Sequence, residues 1–134
     1  MKNLITLIIF LGLSVSSAMA ADDLAIQRYV SAHIKMLQAQ VAQIYVSLDI
    51  LNTENLSDKD KFERIGEPGF VAIDKALAES GYTAKTFYQY ASDNSAAITT
   101  WLGNNSTEAF QLDSLKSERD NLMSQYEALM NTGN

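Results

Sequence analysis

The residues with the most chemical potential here are few. His33 is the only histidine in the chain, and it lies four positions after Tyr29 and beside Ile34. An imidazole so placed could act as an axial haem ligand or as a proton switch near neutral pH. For haem, the second ligand would be a methionine, and Met130 is the candidate; Met36 and Met123 also fall in stretches of helical spacing. The simpler expectation is a half-buried histidine bonded to a neighbour, with no metal and no cofactor. The absence of cysteine removes the Cys-x-x-Cys-His attachment for covalent haem and leaves too few ligands for zinc. Paired Glu-x-x-His motifs, which hold two irons in helical bundles, do not occur. Asp58-Lys59-Asp60 alternates like a calcium loop but lacks its glycine and terminal glutamate, so helix capping accounts for it better.

Nucleophilic catalysis has equally little to work with. A Ser-His-Asp set would have to use His33 within a long helix, and no Gly-x-Ser-x-Gly elbow presents a serine. Gly66-Glu67-Pro68-Gly69 has neither the glycines nor the lysine of a phosphate loop. A carboxylate-based hydrolase leaves little trace in a sequence and stands third among the functional readings; the expectation is a protein that is not an enzyme.

The most distinctive stretch runs from Tyr82 to Trp101. Wound as a helix, it places Ala84, Tyr88, Ala91, Ser95, Ile98 and Leu102 on one face, with Phe87, Tyr90, Asn94, Ala97 and Trp101 along the adjoining edge. An apolar sector this wide exceeds one packing seam. It either lines a groove for a protein or a small apolar ligand, or is buried among several helices of the same domain. The groove reading makes Phe87, Tyr88, Tyr90, Asn94 and Trp101 the candidate binding residues, and it requires Tyr90 to be partly exposed.

The elements that carry these residues follow from apolar spacing. Val30, Ile34, Leu37, Val41, Ile44, Leu48 and Leu51 repeat at steps of four and three, so a long amphipathic helix is expected from about Asp23 to Leu51. Its flanking positions (Gln38, Gln40, Tyr45, Ser47) lack the opposed charges of a free coiled coil, which favours packing inside one chain and a monomer. Asp22 and Asp23 suit a helix N-terminus. A short helix with Phe62 and Ile65 is expected after a cap at Ser57, then one from Pro68 to about Ser80 carrying Phe70, Ile73 and Leu77 and stopped by Gly81. Thr83 caps a helix over about Ala84 to Leu102, and Ser106 or Thr107 caps the last one, which runs to about Met130. No alternating run suggests a strand. The expected fold is an all-α bundle of four to five helices, with long first and last helices.

The first twenty residues read differently. Lys2, an apolar run from Leu4 to Leu13, and Ala18-Met19-Ala20 have the order of a secretory signal with its cleavage site, so residues 1–20 are expected to be removed and residues 21–134 to form a single helical domain. The run is shorter than the roughly 20 apolar residues of a membrane span, so no stable membrane anchor is expected. Loss of Lys2 with the signal moves the net charge from −6 to −7. Such a chain, with no basic block, has no footprint for nucleic acid or anionic lipid. The expected protein is thus soluble and periplasmic or secreted, a binding or interaction factor of chaperone-like or inhibitor-like kind that works through an aromatic groove. A small-ligand or haem carrier using His33 and Met130 is the alternative.

Overall fold

A computed structural model describes the backbone of residues 2–65 and 68–132 and the side chains of residues 22–65 and 71–132. Within them the chain is all-helical, with six helices and no strand: α1 (Lys2–Leu51), α2 (Asp58–Ile65), α3 (Pro68–Glu79), α4 (Ala84–Asp93), α5 (Ser95–Asn104) and α6 (Ser106–Thr132). The expected signal segment and its cleavage site fall outside the described side chains, as does Phe70. Because α1 begins at Lys2, Asp22 and Asp23 lie inside a helix and not at its start.

The local signals behave as elementary chemistry dictates. The Ser57 hydroxyl accepts the amide of Asp60 at 3.2 Å and donates to that residue's carboxylate at 2.6 Å, which starts α2. At the end of α3 the amide of Tyr82 donates to the Leu77 carbonyl and that of Gly81 to the Ala78 carbonyl, a Schellman turn. It needs a left-handed residue, and Gly81 supplies it with φ of 83°. Thr83 follows immediately as the N-cap of α4 in a reciprocal box with Thr86.

The expected helix from Ala84 to Leu102 is two helices, which is why there are six and not four to five. The division falls at Asn94, whose φ of −122° and ψ of 18° leave helical space. Its side-chain amide donates to the Tyr90 carbonyl at 3.0 Å, the same oxygen that accepts its backbone amide. The Ile98 amide still reaches the Asn94 carbonyl, so the hydrogen-bond ladder bends without stopping. A short polar side chain that turns back on its own helix produces such bends. Asn105 repeats the device between α5 and α6, its side chain donating to the Trp101 carbonyl at 2.7 Å. Asn105 is therefore the boundary before α6, and Ser106, expected as a cap, is already helical.

The long α1 is the spine. Its buried residues Ile26, Tyr29, Val30, Ala32, Met36 and Leu37 form one core with Leu77 of α3, Phe87 of α4 and Leu112 of α6. A second core joins Val41 and Leu48 to Leu122. Because later residues of α1 meet later residues of α6, these two helices run parallel. That order requires α3 to return along α1 and the bent pair α4–α5 to cross its upper part before α6 descends. The heptad stripe is intrachain core: Val30, Leu37, Val41 and Leu48 are buried, with Ile34, Ile44 and Leu51 half-buried.

Candidate functional sites on either side of helix α5

Tyr29 is the centre about which the aromatic residues are arranged. Its ring stacks on Phe87 at 4.8 Å between centroids and on Tyr90 at 5.2 Å, and meets the edge of Tyr82 at 6.4 Å. His33, one turn further along α1, lies 5.9 Å from Tyr29 and 5.5 Å from Phe87. Such offset and edge-on pairs each add about 0.5–1.5 kcal/mol beyond the area they bury. Burial pushes the Tyr29 hydroxyl above its usual range, with Tyr82 and Tyr88 adding to the effect. His33 is held down to about 4, first by burial and then by the cations Lys116 and Arg119, so it is neutral at pH 7.

This arrangement divides the five candidate binding residues. Phe87 is 1 % exposed and belongs to the core. Tyr90 is half-buried over Tyr29, partly exposed as the groove reading required, yet packed against the core as well. Tyr88 is 59 % exposed and touches the edge of Phe87. Asn94 makes the bend. Beyond the bend the edge turns outward again: Ala97 and Trp101 of α5 line a cleft of about 560 Å³ against α1, where Ile26, Asp22 and Asp23 form the opposite wall. The bend at Asn94 divides the expected edge: Phe87 and Tyr90 pack on Tyr29, while Ala97 and Trp101 line the cleft, Trp101 also packing against the core.

On the other side of α5 is a smaller cavity of about 270 Å³. Ala91, Ser95, Ile98, Thr99 and Leu102 line it from α4 and α5, Tyr29 and His33 from α1, and Leu112 and Lys116 from α6. Ala91, Ser95, Ile98 and Leu102 are members of the first face that the spacing defines. Among the described residues, two recesses of opposite chemical character thus flank α5: two aspartates beside a tryptophan, and a lysine beside a neutral histidine.

Comparison with known protein families, with curated proteins and with solved structures finds no match for this chain. Any reading of function consequently stands on the geometry.

The haem alternative is not assembled. His33 lines the same cavity as Lys116, whereas Met130 lies fourteen residues further along α6, about 21 Å away at ~1.5 Å of rise per residue. Met36, one turn beyond His33, is buried in the core. Among the described residues no group of three or more histidine, cysteine, aspartate and glutamate side chains could hold a metal ion.

Sequence reasoning missed Tyr29, Lys116 and the aspartates as parts of sites. Tyr29 lies three residues after Ile26 and four before His33, so the helical spacing places it on the face adjoining the stripe, and that was the signal available for it. No signal in the chain itself would have paired Asp22 and Asp23 with Trp101, more than seventy residues later.

Proposed function

We propose that this protein is exported to the periplasm by its N-terminal segment, cleaved after Ala20, and acts there as a monomeric binding protein. It takes part of a partner polypeptide into the cleft between α1 and α5. The observation that carries this reading is the cleft itself: the chain's only tryptophan forms one wall, and Asp22 and Asp23, which make no ion pair among the described residues, form the lip opposite. A tryptophan beside a wet acidic rim offers apolar contact area and attracts cations to its face. The complementary occupant is a segment presenting lysine or arginine next to an apolar side chain. Cleavage after Ala20 would add an α-ammonium group at the same lip, leaving one net negative charge there.

Trp101 is its own reporter. A short peptide alternating leucine and lysine should change the tryptophan emission saturably, and the leucine–glutamate counterpart should not. The Asp22→Asn, Asp23→Asn double variant should weaken the lysine peptide by about tenfold, the scale of one charge-assisted hydrogen bond. Equal responses to the two peptides, or no response to either, would remove the basis for this function.

A further inference from the structure

The smaller cavity differs from the α1–α5 cleft in the chemistry of its lining. It is lined by the apolar residues Ile98, Leu102, Leu112 and Ala91 and by Lys116, His33, Tyr29, Ser95 and Thr99, whose side chains all carry hydrogen-bond donors. No acidic residue lines it, in a chain whose net charge is −6.

Local bonding leaves all but one of these donors available. The Thr99 hydroxyl donates to the Ser95 carbonyl, but among the described residues no hydrogen bond engages the Ser95 hydroxyl, the Tyr29 hydroxyl or the His33 ring. Lys116 has two exposed acids near it on α6, Asp113 and Asp120. Asp120 is held by Arg119, at 2.9 Å from Nε and 2.8 Å to the guanidinium terminus, and Lys116 makes no ion pair among the described residues. The positive charge at the cavity is therefore not cancelled from within the helix that bears it.

We propose that the cavity between α1, α5 and α6 binds a small monocarboxylate with an apolar body, its carboxylate beside Lys116 and its body against Ile98, Leu102 and Leu112. The size fits: about 270 Å³ lies just under the ~300–1,000 Å³ of pockets for drug-sized ligands, which suits a ligand of one ring or a short branched chain. The charge matches a monoanion, because a single ammonium, that of Lys116, belongs to the lining. Lys116 and Arg119, which add to the effect of burial in keeping a proton off His33, are also the charges that attract the anion. A bound carboxylate must therefore make His33 easier to protonate.

The test uses benzoate as the probe, with benzyl alcohol as its uncharged counterpart. The single histidine reports on this cavity and the single tryptophan on the other cleft, so the two proposed sites fail or succeed separately. In nuclear magnetic resonance titrations of the purified protein, benzoate should shift the His33 ring signals saturably and raise their titration midpoint, with Trp101 emission unchanged. Benzyl alcohol should bind about tenfold more weakly, and Lys116→Met should bring benzoate down to the level of the alcohol. Unmoved His33 signals, equal affinities for acid and alcohol, or full benzoate affinity in a folded Lys116→Met variant would each overturn the proposal.

Discussion

His33 illustrates how much a few neighbours decide. Alone, an imidazole titrates near 6.5. Here burial, Lys116 and Arg119 lower that to about 4 in the folded chain. The unfolded chain then holds a proton between those limits that the folded chain lacks, so stability falls as pH drops from 6.5 toward 4. His33→Gln, uncharged throughout, should keep its stability constant between pH 7 and pH 5 while the native chain loses some. Denaturant melts at the two pH values check this, in a range above most carboxylate titrations. The aromatic residues give a second residue-scale contrast. Phe87→Ala removes a ring that is 1 % exposed and should cost about 3–5 kcal/mol. Tyr90→Ala loses a half-buried ring stacked on Tyr29 and should cost about 1.5–3 kcal/mol, more than an exposed groove residue would. Urea denaturation distinguishes them, and equal costs would place Tyr90 fully inside the core.

At the scale of elements, turns and bends do the directing. Asn94 divides what the spacing presents as one continuous helix and Asn105 marks the boundary of the next, each returning its side chain to the carbonyl four residues back. The bend at Asn94 separates the α4 aromatic residues that pack on Tyr29 from Trp101 of α5, which packs against the core beside the cleft. The glycines test the same logic. Gly81 has φ of 83°, and a Cβ there would meet nothing within 4 Å, so the cost of Gly81→Ala is purely conformational, about 1–2 kcal/mol. Gly103 lies within α5, also in open space, with no left-handed demand. Gly103→Ala should therefore stabilise by up to about 1 kcal/mol. Thermal melts of the two variants should move in opposite directions.

For the whole molecule, α1 is the element on which everything else is placed, since both cores draw most of their buried residues from it. Leu37 is 0 % exposed at the junction with α3 and α6. Leu37→Asp buries an unpaired carboxylate there and should abolish the folded state, visible as loss of helical circular dichroism. Retention of helicity with loss of a dimer would instead make the stripe a seam between chains. Among the described residues no helix is long and apolar enough to cross a membrane. Intact-mass measurement of the exported protein should find a chain beginning at Ala21, and a product retaining residues 1–20 would count against the proposed address.

The helical class, the stripe from Val30 to Leu51, the stop at Gly81 and the caps at Ser57 and Thr83 were legible in the chain because each depends on residues within about one or two turns of each other. Spacing of three and four implies one buried face whatever that face meets. A glycine after a leucine-bearing helix and a threonine two residues on imply a turn whatever surrounds it. The sites were legible only in part, as Trp101, Tyr90 and His33 stood out by type. Their partners came from elsewhere in the chain: Asp22 and Asp23 from α1, Lys116 from α6. The tertiary structure alone decided that the aromatic edge would divide, Phe87 and Tyr90 packing on Tyr29 and Trp101 lining a cleft at the margin of the core. Two perturbations cooperate there, the bend at Asn94 and the stacking of Tyr29 under Phe87 and Tyr90. The second is a contact across more than fifty residues, and local periodicity carries no information about such a contact.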